Sequence, residues 1–222
     1  MGTGAMLVWT DAEPKGEAEF NEWYNRQHSA ERVGIEGFER AWRYRAITGR
    51  PRYLAMYEIA SPAVMVSHAY TSVLDNPTAW TRHNMPSFKN TNRTVFAVAK
   101  RVGHGRGGVL ATLRLAPKPG QEARLQAWLA VEVLPFAVKQ PGLIGGALLQ
   151  VDRAGSDYGS LEREIRGGKD AVASWCVLLD GADVEAVRRT AREFLGRRAL
   201  AANGAAAGAE LGLYRLLMGI WH

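Results

Sequence analysis

The chain is written twice. A short apolar run, Met6-Leu7-Val8-Trp9, leads into Pro14-Lys15-Gly16, then Phe20-Asn21-Glu22-Trp23-Tyr24, then Gly37-Phe38. A second run, Val109-Leu110-Ala111-Thr112-Leu113, leads into Pro117-Lys118-Pro119-Gly120, then Leu125-Gln126-Ala127-Trp128-Leu129, then Pro141-Gly142-Leu143. From Phe20 to Tyr44 one offset of 105 positions pairs Trp23 with Trp128, Gly37 with Gly142, Phe38 with Leu143 and Tyr44 with Leu149. A larger offset then pairs Tyr53-Leu54-Ala55-Met56-Tyr57-Glu58 with Trp175-Cys176-Val177-Leu178-Leu179-Asp180. Residues 153–170 absorb the difference; their Gly, Ser and charge read as a loop. An internal repeat constrains architecture before any single residue does.

Hydrophobic periodicity supplies the elements. The first half reads as strand 5–11, helix 16–33, strands 38–47 and 52–60, helix 62–74 and strand 93–101, with a long connection over 75–92 that has room for a short helix near Trp80. The second reads as strand 109–116, helix 120–139, strands 143–151 and 173–180, helix 183–198 and strand 211–219. Each is a βαββαβ unit, the ferredoxin-like arrangement, whose antiparallel sheet carries helices on one face. Strands 38–47 and 52–60 place apolar or aromatic groups on both faces, so the bare face needs a cover too. The expected fold is therefore α+β: two ferredoxin-like repeats, 1–104 and 105–222, whose sheets pack face to face as an internal pseudo-dimeric barrel with a lumen between them. Gly103-His104-Gly105-Arg106-Gly107-Gly108 leads into a strand and offers no helix N-terminus to a phosphate, so it reads as the linker.

Bulk properties exclude several classes. The single cysteine, Cys176, lies in an apolar run and reads as a buried, inert thiol, and no disulfide framework is available. No leader or membrane span is visible, which points to the cytoplasm. The net charge of +6 is spread along the chain and not gathered on one stripe, against a nucleic-acid surface. RNA recognition motifs share the element order, but Arg52-Tyr53-Leu54-Ala55-Met56-Tyr57 lacks their glycine and aromatic spacing. No close histidine pair, Ser-His-Asp set or nucleotide fingerprint occurs, and no metal is expected.

The first helix carries the sharpest contrast between the halves. Phe20, Tyr24 and His28 lie on one face, and their counterparts Leu125, Leu129 and Val133 form a plain apolar stripe. The face is thus expected to be buried, with a phenol and an imidazole on it in the first half only. His28 as acid or base, Tyr24 orienting and Arg43 steadying an oxyanion make one reading. Arg43 stands where the second half has Leu148. Trp23, Trp42, Tyr57, His68, Trp80 and His83 are the candidate substrate contacts, with 75–92 as a lid over the barrel mouth. Glu58 and Asp180 read as strand-end carboxylates. The competing reading is a satisfied core histidine, and it gains if His28 sits between helix and sheet, because the helices cover the face opposite the lumen.

Phe20-x2-Trp23-Tyr24-x3-His28, Glu31-Arg32, Gly37-Phe38 with Arg43-Tyr44, Tyr53-Leu54-Ala55-Met56-Tyr57-Glu58 and Pro77-Thr78-Ala79-Trp80-Thr81 together resemble the dimeric α/β-barrel superfamily, and within it EthD-like and related uncharacterised proteins. The likeness covers the first 100 residues or so. It implies a two-sheet barrel that binds a small organic molecule, in members that include cofactor-free monooxygenases, muconolactone isomerases and haem proteins. It supports a cofactor-independent monooxygenase- or isomerase-like enzyme with no cofactor expected. A non-catalytic binding or stress-related protein and, behind it, a haem protein using His28 or His83 are the alternatives. Pairing of two chains into a homodimer stays open.

Overall fold

The computed structural model describes residues 2–157, 159–168 and 170–221. Its centre is a closed antiparallel barrel of eight strands: β1 (Gly4–Ala12), β2 (Phe38–Thr48), β3 (Tyr53–Ile59), β4 (Phe88–Gly103), β5 (Val109–Leu115), β6 (Leu143–Val151), β7 (Trp175–Gly181) and β8 (Glu210–Trp221). Around the barrel they run β1-β3-β2-β8-β5-β7-β6-β4 and close on β1. The edge strands β2 and β4 find their partners in β8 and β6. Closure leaves no row of unpaired backbone groups exposed.

Alternation along the strands sorts side chains into three layers. On β1, Ala5, Leu7 and Trp9 point inward, while Met6 and Val8 point to the helices. On β3, Leu54 and Met56 point inward, and Tyr53, Ala55, Tyr57 and Ile59 outward. The interior is filled: Leu7, Trp9, Tyr44, Leu54, Phe96 and Leu110 are buried against Leu149, Cys176, Leu178 and Tyr214. The lumen expected as a binding chamber is instead a packed core, because large side chains from both sheets interdigitate there. Cys176 lies in it, fully buried, and burial pushes its thiol pKa up.

One mouth of the barrel is closed by charge. Glu58 and Asp180 sit at matching positions on β3 and β7, and the linker residue Arg106 donates to both, at 2.6 and 2.5 Å. The expected linker is thus also a clasp between the two sheets. Because β4 runs on to Gly103, only 104–108 remain as connection.

Helices lie outside the barrel. α1 spans residues 17–33 as one helix with a π-helical stretch at Tyr24–His28. Pro62–Val66 forms a 3-10 turn before α2 (His68–Asp75), and α3 (Ala79–Asn84) is the short helix near Trp80. In the second half α4 spans residues 122–137, with its own π-helical stretch at Trp128–Val133. Residues 153–170, expected as loop, contain α5 (Arg153–Asp157) and α6 (Leu161–Ile165). α7 (Val184–Phe194) and α8 (Arg197–Ala202) complete the outer layer. Gly37 and Gly142 end the turns into β2 and β6 at φ +90° and +86°, where a Cβ would lie 2.5 Å from Val64 Cγ2 and 2.6 Å from Ala186 Cβ. No helix among the described residues is long and apolar enough to cross a membrane.

Candidate functional site

The outer layers of the two halves differ in chemistry. Beneath α4 the sheet meets Leu125, Leu129, Val133 and Leu134, an apolar stripe. Beneath α1 it meets Phe20, Tyr24, His28 and Arg32, one residue per turn. The π-helical stretch recurs in both halves, so it belongs to the shared scaffold and not to the polar residues of the first.

His28 lies between helix and sheet, outside the barrel. By the criterion drawn from the sequence this favours a structural histidine. A structural histidine, however, has partners, and Nδ1 of His28 has no hydrogen bond although it is fully buried. Its nearest acid, Glu31 Oε2, stands 3.8 Å away, beyond hydrogen-bond reach. The ring lies 4.1 Å from that of Trp23 and 4.9 Å from that of Tyr24. Burial, reinforced by Arg32, Arg166 and Arg43, holds the His28 pKa well below its ordinary value, so the imidazole is neutral at pH 7.

His28 lines a cavity of about 30 Å³ together with Tyr24, Arg32, Tyr57, Tyr70, Arg93, Glu162 and Arg166, and with the apolar Met6, Val8, Met85 and Phe88. That is room for about one water molecule. Arg32, only 2% exposed, donates from Nη2 to both oxygens of Glu162, at 2.5 and 2.6 Å, and its Nη1 has no partner. Arg93 donates to the Tyr70 hydroxyl and to the Gly155 carbonyl at 3.2 Å each. Three guanidiniums and one carboxylate line the cavity; Arg32 is paired with that carboxylate, Glu162, and Arg166 is paired with Asp170. Burial pushes the Tyr24 phenol up to about 12, against the pull of Arg43, Arg166 and Arg32, and raises Tyr57 well above its ordinary value. Both phenols stay protonated and able to donate.

The remaining expected residues are placed as follows. Tyr57 lines the cavity. Trp23 stacks behind His28 and donates to Thr81 Oγ1 at 3.3 Å. Arg43 stands 4.3 Å from the centre of the Tyr24 ring, with Nη2 donating to Asn21 Oδ1 at 2.6 Å, and does not line the cavity. Trp42 turns the other way, into the barrel beside Trp221. His68 and His83 are exposed. Trp80 is half-buried and donates to Glu19. α3 packs on α1, through Trp23 to Thr81 and Gln27 to Thr78, and not over a barrel mouth.

The cover over the cavity comes from the second half. Glu162 and Arg166 belong to the 153–170 segment, whose α5 is tied to β4 by Ser156 Oγ accepting from the Val95 amide at 3.0 Å. Sequence reasoning missed these two residues, and with them Arg32 and Arg93. Arg32 had a signal: it extends the Phe20, Tyr24, His28 stripe, and its counterpart in the second half is Ala137.

No protein-family model and no curated protein matches the chain by sequence. Solved structures share its fold. The chain matches an anthrone oxidase-like protein at TM-score 0.66 and 12% identity, over 98% of this chain and 92% of that one. It matches a candidate monooxygenase of Fusobacterium nucleatum at TM-score 0.58 and 11% identity, over 99% and 95%. It matches a haem-binding protein of Thermus thermophilus at TM-score 0.54 and 9% identity, over 98% and 92%. At these identities the likeness concerns the barrel alone.

Proposed function

We propose that the space between α1 and the first-half sheet is a site for a small organic molecule, and that His28 acts there as a base. The two halves are read as copies of one ferredoxin-like unit, of which the first kept or acquired polar groups and the second closes the barrel. The observation that carries the reading is a buried imidazole whose Nδ1 has no partner, on a cavity lined also by three phenols, three guanidiniums and the Glu162 carboxylate. Leaving such an atom unsatisfied costs about 1–3 kcal/mol, which a structural role does not recover.

The chemistry follows from the charges. A neutral imidazole can accept a proton from a carbon or phenol next to a carbonyl. The negative charge that develops on oxygen would lie among Arg32, Arg93 and Arg166, with Tyr24 donating to it. An anion beside His28 would also raise its pKa, so proton uptake and charge development assist each other. Arg43 acts through Tyr24, whose ring it covers and whose phenol pKa it lowers. Isomerase-like and cofactor-free oxygenase-like reactions share this first step. The finer likeness to EthD-like proteins rests on Phe20, Trp23, Tyr24, His28 and Arg43-Tyr44 of the first half.

Haem is the weaker alternative. To bring a porphyrin to His28 the layer between α1 and the sheet would have to part by the full width of the macrocycle, far more than a small organic molecule requires. His83 is exposed on α3. These residues do not fit the group. A non-catalytic binding protein shares the site but not the base.

Native mass spectrometry of freshly purified protein, with an absorption spectrum of the same sample, tests the reading. A co-purified organic molecule supports the site, and exchange of its acidic C–H proton in deuterated water by the wild type but not by His28→Val supports the base. A ligand held by both and exchanged by neither favours the non-catalytic protein, and a Soret band would put haem first.

A further inference from the structure

Glu162 is an odd residue to bury. It is 4% exposed, it comes from a segment with no first-half counterpart, and it reaches across the molecule to Arg32. The second half packs Ala137 at the Arg32 position and needs no ion pair there. Buried pairs of this kind are often no more stabilising than apolar packing, so stability alone does not account for it.

Its position is more telling. A second recess of about 20 Å³, lined by Tyr70, Leu74, Arg93, Ser160, Glu162, Arg163 and Arg166, lies beside the inner cavity. The two share Tyr70, Arg93, Glu162 and Arg166 as walls. Glu162 is therefore part of the wall shared by this recess and the space in front of His28, and among the described residues it is the sole carboxylate lining either. Behind it, Arg32 Nη1 and His28 Nδ1 are both unpartnered. As closed, the inner space is too small for an organic ligand, so entry must move a wall.

We propose that the Glu162 carboxylate occupies, in the closed protein, the place of a carboxylate on the ligand: the site takes a small organic acid, whose carboxylate displaces Glu162 from Arg32. The inference rests on the cavity being the ligand site. Glu162 then acts as a tethered competitor. Ligand affinity is reduced by the small fraction of molecules in which the clasp is open. The second half, through Glu162, sets access to the site.

Thermal unfolding and calorimetric titration of wild type, Glu162→Gln and Glu162→Ala test this, with formate, benzoate and chloride as probes at equal ionic strength. Formate is expected to raise the Tm of Glu162→Ala above the value in chloride, to leave wild type unmoved, and to lose its effect in the Glu162→Ala/Arg32→Met double variant. Benzoate is expected to bind Glu162→Gln at least about tenfold more tightly than wild type. If Glu162→Ala unfolds on purification, refolding that requires formate is the same result. Formate and chloride acting alike on Glu162→Ala would overturn the inference. Benzoate binding wild type and Glu162→Gln equally would also overturn it, while leaving the cavity as a ligand site. No benzoate binding to any variant, with no formate effect, would remove both.

Discussion

The two helix–sheet layers hold the same scaffold and opposite interiors. Each has a helix with a π-helical stretch, a glycine turn at positive φ and one strand, β3 or β7, buried throughout. Under α4 the stripe is Leu125, Leu129, Val133 and Ala137, and it packs shut. Under α1 the same places hold Phe20, Tyr24, His28 and Arg32, with orphaned polar atoms and an internal cavity. The backbone does not require the polar set, since the second half builds the layer without it. What the first half gives up in packing is what the proposed site would need, and proteins depart from local consistency chiefly at functional sites.

The contrast can be broken at Arg32. Arg32→Leu removes the guanidinium to which the buried Glu162 carboxylate is hydrogen-bonded and is expected to lower unfolding free energy by about 3–5 kcal/mol in urea denaturation. Arg32→Leu/Glu162→Leu should recover most of that loss, since it remakes the first layer in the image of the second. A double variant as unstable as the single one would mean that the cap needs the charge pair for more than neutrality.

Exchange at the 28/133 pair comes next. Val133→His places an imidazole in a closed apolar layer and is expected to cost about 2–4 kcal/mol, from overpacking and from burying a polar group without a partner. His28→Val should stay within about 1 kcal/mol of wild type, because the removed Nδ1 had no hydrogen bond to lose. If His28→Val proves as damaging as Val133→His, the imidazole is a structural member of the layer and the base proposed here fails.

The strands were legible because their apolar residues alternate over runs that end at glycines or charges; β6 spans the expected 143–151. The face of α1 was legible too, since Phe20, Tyr24 and His28 recur every four residues. The side on which the site lies was not. Trp42 and Arg43 are neighbours on a strand buried on both faces, and only tertiary packing decides that Trp42 enters the barrel and Arg43 the helix layer. The 153–170 segment was misread for a different reason. Its helices are five residues long, below any useful periodicity, and α6 is fixed by a Ser160 cap and the buried Arg32 contact. The wall of the cavity thus comes from a pairing 130 residues apart in sequence, which no local pattern carries.

The smallest expected effect separates the layers by pH. The His28 pKa is held well below 6.5, so the folded chain resists a proton that the unfolded chain accepts. Stability contributed by a neutral His28 is therefore intact above pH 6.5 and falls as pH drops below it, by up to about 1.4 kcal/mol per pH unit until the folded group also titrates. His28→Val removes this loss and leaves every other titrating group in place, so the difference between the two proteins isolates it. Urea midpoints at pH 7.5, 6.5 and 5.5 should show wild type and variant parallel at the upper two values and diverging at the lowest, the wild type losing more. The opposite divergence, with wild type gaining on the variant in acid, would mean that His28 protonates in place and closes the 3.8 Å gap to Glu31. That would make it one half of an ion pair, and the site would have to find its base elsewhere.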